Sequence, residues 1–140
     1  MNLGFIGTGN IVSDVITGIS KSKFSFKKII ISPRNKKKAE YLKKKFKRIT
    51  IAKDNQAVVD MSDWVFLGVL PKVGENILPN LNFRNNQTVI SFMSTTNYSS
   101  LKKLIRKKIT IVRAIPMPPI RLCKGPVAIF PPNKKIKFFF

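Results

Sequence analysis

Short apolar runs alternate along this chain with longer stretches whose apolar residues recur every three or four positions. Leu3–Ile6 is a brief apolar run that stops at glycine. Ile11–Ser20 follows and places Ile11, Val15, Ile16 and Ile19 on one helical face. Lys28–Ser32 is a β-branched run, and Lys36–Phe46 aligns Ala39, Leu42 and Phe46 against lysines on the other faces. Arg48–Ala52 is another short run, and Asn55–Met61 is long enough for about two helical turns. Trp64–Leu70 is nearly all apolar, as a strand buried on both faces requires. Val73–Leu81 reads as a short helix interrupted by Pro79, and Thr88–Met93, Ser99–Arg106 and Thr110–Ala114 read as strand, helix and strand. Strands alternating with helices predict βαβ units, hence an α/β fold with a mostly parallel sheet. Right-handed crossovers put helices on both of its faces.

The last part of the chain breaks this rhythm. Pro116, Pro118 and Pro119 are expected to interrupt any regular element. Val127–Phe130 fits one more strand, ended by Pro131 and Pro132. Asn133–Phe140 is a Lys/Ile/Phe run without periodicity. The expected organisation is therefore one domain over residues 1–132 and an irregular basic and aromatic tail over 133–140.

Composition narrows the chemistry. A chain of 140 residues is one domain by length and can bury a core. It has no histidine, which excludes His-based triads and imidazole-ligated zinc. Its one cysteine, Cys123, excludes an internal disulfide or a multi-thiolate metal site, and without a His partner it is expected to be structural. No metal site is expected. The 27 Lys and Arg against 6 Asp and Glu give a net charge of +21. All the acids lie at or before Glu75, and from Lys27 to Arg48 the only acid is Glu40. Such a stripe could mark a polyanion partner. Lys, Asn, Ile and Phe are all abundant, however, and a charge run is usually a solvated face. The chain has no Arg-Gly, Cys/His or RNA-recognition signature, so no specific nucleic-acid partner is expected. No apolar segment approaches the roughly 20 residues needed to span a bilayer, so no membrane role is expected. The start lacks a basic leader, and a cytoplasmic location is expected.

The strongest chemical signal is Gly4-Phe5-Ile6-Gly7-Thr8-Gly9-Asn10-Ile11-Val12-Ser13. Gly7 and Gly9 follow a predicted strand and open a predicted helix, the context a dinucleotide fingerprint requires. Gly7 allows the tight turn, and Gly9 lets the backbone approach a pyrophosphate held by the helix N-terminal amides. The fold this implies is Rossmann-like and doubly wound. Val12 occupies the third glycine position, which should loosen the helix–strand packing. A second signal is Ser32-Pro33-Arg34-Asn35-Lys36. An NAD site usually carries an acid here for the ribose hydroxyls. This chain instead offers a hydroxyl, a guanidinium, an amide and an ammonium, suited to an adenosine 2′-phosphate. The cofactor expected is NADP.

The opening GFIGTGN, the SPRN segment, Asp54-Asn55 heading a helix, Val69-Leu70-Pro71-Lys72 after the buried strand, and Val112-Arg113-Ala114-Ile115-Pro116 resemble pyrroline-5-carboxylate reductases, in order and spacing over roughly residues 1 to 132. Deazaflavin-dependent NADP reductases share the N-terminal pattern. The resemblance implies a domain that binds NADPH and delivers hydride to a cyclic imine, making proline. It assigns Gly7, Thr8, Gly9, Asn10 and Ile11 to the pyrophosphate, and Ser32, Arg34 and Asn35 to the 2′-phosphate end. Asn55 falls to the adenosine half and Val69, Leu70, Pro71 and Lys72 to the cofactor side. It names no catalytic residue. Leu70 stands where the family has lysine, Ser91–Ser94 replaces an Ala-Gly stretch, and Pro116-Met117-Pro118-Pro119 replaces Pro-Asn-Thr-Pro, so the departures cluster on the catalytic side. The family also carries a helical C-terminal domain that makes a homo-oligomer and much of the imine pocket. This chain stops where that domain would start, so the resemblance implies that residues 133–140 end a truncated or frameshifted reading frame, and the chain is expected to be incomplete as an enzyme and not to form that oligomer. A non-catalytic nucleotide-binding module is the alternative from another class, and a polyanion-binding protein is a third.

Overall fold

The computed structural model describes residues 1–140, and in it the apolar runs become strands and the amphipathic stretches helices. The order is β1 (Leu3–Ile6), α1 (Asn10–Lys21), β2 (Ile29–Ile31), α2 (Lys36–Lys45), β3 (Ile49–Ile51), α3 (Asn55–Asp60) and β4 (Trp64–Leu67). There follow α4 (Pro71–Ile77), β5 (Thr88–Ser91), α5 (Tyr98–Ile105), β6 (Thr110–Pro116), β7 (Val127–Phe130) and α6 (Lys134–Phe139). The seven strands make one sheet in the order β3-β2-β1-β4-β5-β6-β7. The first six are parallel and β7 is antiparallel to β6. The strand order reverses between β1 and β4, paired from Leu3↔Trp64 to Ile6↔Leu67. This is the doubly wound Rossmann arrangement, whose ligands sit beyond the carboxyl ends of the strands at that reversal.

Alternation along the strands divides the core between the two faces. Leu3, Phe5, Trp64 and Phe66 join Val12, Val15 and Ile16 of α1 and Ala39 and Leu42 of α2 on one face. Ile6, Val65 and Leu67 join Val58 and Val59 of α3 and Leu101 and Ile105 of α5 on the other. Phe5 and Phe66 stack across adjacent strands, ring centroids 4.5 Å apart and planes 8° from parallel.

Four expectations change. First, the apolar run from Trp64 stops being strand at Leu67, because Gly68–Leu70 turns into α4, with Pro71 at its first helical position. Second, Pro79 does not simply break a helix: α4 ends at Ile77 and Pro79 sits in a 3-10 turn, Leu78–Asn80, near whose start its lost N–H is no penalty. The prolines near 118 behave the same way: β6 runs through Pro116, and Pro118 and Pro119 start a 3-10 turn over Pro118–Leu122. Third, Lys134–Phe139 is helical rather than irregular. The Asn133 side chain caps it by accepting from the Ile136 N–H at 3.1 Å, and Ile136 is fully buried. Phe139 packs against Phe24, Trp64 and Phe66, at centroid distances of 4.9, 5.6 and 5.3 Å. Fourth, Val12 does not loosen the packing: it is fully buried, against a glycine on the strand side.

Candidate functional site

The loops after β1, β2 and β4 converge at the strand reversal around an open cavity of about 680 Å³. Its wall is Gly7, Thr8 and Gly9 from the first loop, Arg34, Asn35 and Lys36 from the second, and Val69, Leu70 and Val73 from the third. The size is ordinary for a ligand cleft. No carboxylate lines it, and two cations do.

The glycine loop is shaped from both ends. Gly7 has φ of +102°, a conformation that side-chain-bearing residues rarely adopt. Its N–H donates to the Ser32 hydroxyl at 2.8 Å, tying the loop to the end of β2. A Cβ added to Gly9 would meet only the Gly68 carbonyl oxygen, at 4.0 Å, so the absent side chain leaves room for a group lying on the backbone. Gly9 also heads α1, and no side chain caps that helix. By contrast, α2, α3, α5 and α6 are capped by Asn35, Asp54, Asn97 and Asn133. The first-turn amides of α1 and the positive end of its dipole are therefore left for an anion. An open amide row, a cleared cradle and a cationic rim fit a dinucleotide phosphate chain.

The structure brings together seven of the residues singled out by sequence: Gly7, Thr8, Gly9, Arg34, Asn35, Val69 and Leu70 all line the cavity. The others lie around it. Ser32 is 1% exposed and underpins the loop through Gly7 instead of forming the wall. Asn10 and Ile11 begin α1, and the Asn10 side chain accepts from the Lys38 ammonium at 2.8 Å. Asn55 opens α3, whose cap is Asp54. Pro71 and Lys72 open α4 without reaching the cavity wall. Leu70, at 74% exposure, presents an apolar side chain to the cleft. Lys36, the ammonium offered by the same segment as Arg34 and Asn35, lines it as well. Val73 also lines it and was not singled out; it became visible once α4 was known to start at Pro71. Arg113, on β6, reaches the loop after β5, its guanidinium donating to the Ser94 carbonyl at 2.7 Å. Cys123 is exposed, and its thiol contacts the Gly18 carbonyl at 3.3 Å. No group of three or more His, Cys, Asp or Glu side chains comes together, and no helix is long and apolar enough to cross a membrane.

Comparison with known proteins points the same way. Residues 2–95 match the family described as NADP oxidoreductase coenzyme F420-dependent. A pyrroline-5-carboxylate reductase of Vibrio alginolyticus is 27% identical over 133 residues, covering 93% of this chain and 48% of that protein. The solved pyrroline-5-carboxylate reductase of Coxiella burnetii superposes with a TM-score of 0.83 at 24% identity, covering 98% of this chain and 53% of that one. That of Plasmodium falciparum, solved with NADP bound, gives 0.75 at 21% identity, covering 99% and 52%. The chain thus spans about half the length of the relatives it matches.

Proposed function

The chain belongs to the family of coenzyme F420-dependent NADP oxidoreductases, and from that membership we propose that it is the NADP(H)-binding half of a pyrroline-5-carboxylate reductase-like enzyme. The observation that carries the choice of NADP over NAD is the cavity wall, where Arg34, Asn35 and Lys36 stand and no carboxylate does. A ribose 2′-phosphate is a dianion that needs donors, and the planar guanidinium of Arg34 can meet two of its oxygens at once. An NAD ribose would leave those cations unpaired and would lack its acidic acceptor.

In this reading Gly7, Thr8, Gly9 and the first-turn amides at Asn10 and Ile11 hold the pyrophosphate. Arg34 and Asn35, with Lys36, hold the 2′-phosphate, and Ser32 acts on the site through Gly7. Asn55 lies on the adenosine side, and Val69, Leu70, Pro71 and Lys72 flank the reactive half. Bound NADPH supplies a hydride for reduction of a cyclic imine, so the protein needs no nucleophile of its own. The binding unit is residues 1–132 with α6 packed against it, and its one cysteine and reductive cofactor class suit the cytoplasm. The test is a fluorescence titration with NADPH followed by an imine-reduction assay. Tight binding without turnover supports a binding half, turnover makes the chain a complete reductase, and absence of NADPH binding defeats the reading. The family match favours a second acceptor, a deazaflavin coenzyme. Oxidation of NADPH on adding oxidised coenzyme F420, with none on adding the imine, would select it.

A further inference from the structure

The glycine loop is seated on a residue outside its own motif. Gly68, one place beyond β4, donates its N–H to the Ile6 carbonyl at 2.8 Å. The Gly68 carbonyl oxygen stands where a side chain on Gly7 would begin, and it is the atom that a Cβ on Gly9 would meet, at 4.0 Å. On the opposite side, a Cβ on Gly68 would overlap Cγ2 of Val12, fully buried in the first turn of α1. Gly7, Gly68 and Val12 therefore form one unbroken steric chain from the loop, through the end of β4, into the helix whose amides face the cavity.

In dinucleotide-binding loops the third glycine secures the close approach of helix to strand. Here that position is Val12, and the missing side chain belongs to the strand partner. We propose that Gly68 is a positioning residue for the cofactor loop, and that Gly68 and Val12 are a reciprocal pair in which the glycine has moved from helix to strand end. The ligand in this proposal rests on the NADP(H) reading above; the pair rests on the steric chain alone. Valine in a helix is confined to essentially one χ1 rotamer, so Val12 cannot swing clear of a methyl group at position 68. Such a methyl must displace either α1 or the Gly68 carbonyl, and both movements shift the helix amides against Gly7 and Gly9. Arg34, on the loop after β2, takes no part in that chain of contacts.

The test uses the full chain as wild type, Gly68→Ala, Val12→Ala and the double variant. NADPH affinity is titrated, adenosine 2′-monophosphate serves as a probe of the Arg34 end alone, and each thermal midpoint is recorded. Gly68→Ala is expected to weaken NADPH by about tenfold, the cost of overpacking a tight contact, while adenosine 2′-monophosphate changes by less than about twofold. The double variant is expected to recover most of the NADPH affinity, because alanine at 12 vacates the space that alanine at 68 needs. Wild-type-like NADPH binding by Gly68→Ala, or a double variant no better than Gly68→Ala, overturns the proposal. Should Gly68→Ala not fold, the double variant must fold and regain the midpoint; failure to do so overturns it equally. If the wild type binds neither nucleotide, the cofactor reading falls, and the midpoints of the four proteins still decide whether the pair is reciprocal.

Discussion

Ser32 and Arg34 stand two residues apart in one loop and do different work. The Ser32 hydroxyl is buried and accepts the Gly7 N–H, whereas Arg34 is exposed on the cavity wall. Ser32→Ala leaves that half-buried amide without its partner, which costs about 1 kcal/mol, the low end of the range for an unpaired donor. A thermal midpoint lowered by several degrees, together with weaker binding of both NADPH and NADH, is the expected signature. Arg34→Gln keeps the fold and removes the charge-assisted pairing to a 2′-phosphate, worth about 1.5–3 kcal/mol. NADPH should weaken by roughly 10- to 100-fold with NADH nearly unchanged, measured by titrating each nucleotide. The sequence marks both residues as polar groups where a phosphate is expected. It does not show which one is turned inward, because that depends on where the end of β2 meets the glycine loop across 25 residues of chain.

At the scale of elements, the first six strands were legible as short apolar runs set between stretches of helical spacing or length, and α4 was the helix between them whose bounds were misplaced. Leu3–Ile6 and Trp64–Leu67 are continuous apolar runs buried on both faces, and α1 was read from its apolar face at 11, 15, 16 and 19, of which 15, 16 and 19 are buried together with Val12. The helix α6 was not legible. Its six residues include two that face the core, Ile136 and Phe139, which is too few to establish a period. Only its Asn cap left a local mark, and a cap needs a helix behind it to be recognised. Its stability comes from tertiary packing on Trp64 and Phe66, as expected of so short a helix. Ile136→Ala should therefore destabilise the chain by about 2–5 kcal/mol, seen as a lower midpoint in chemical denaturation. A change below about half a kilocalorie would mean that α6 does not pack on the core in solution.

Across the whole molecule the charge of +21 is barely neutralised from within: the one ion pair is Arg121 with Asp14, at 4.0 Å. Most of this charge is solvated surface, and two of its cations, Arg34 and Lys36, stand on the cavity wall. So excess a field draws any polyphosphate, so NADPH affinity should fall as salt rises from about 0.05 to 0.5 M, with the Debye length shrinking from roughly 14 to 4 Å. Preference for NADPH over NADH should narrow over the same range, because the extra phosphate is the screened group. If the basic rim beside the glycine loop receives a 2′-phosphate and not ribose hydroxyls, as proposed, parallel calorimetric titrations of the full chain at low salt should show NADPH binding at least about tenfold more tightly than NADH; equal affinities, or tighter NADH, would rule that site out.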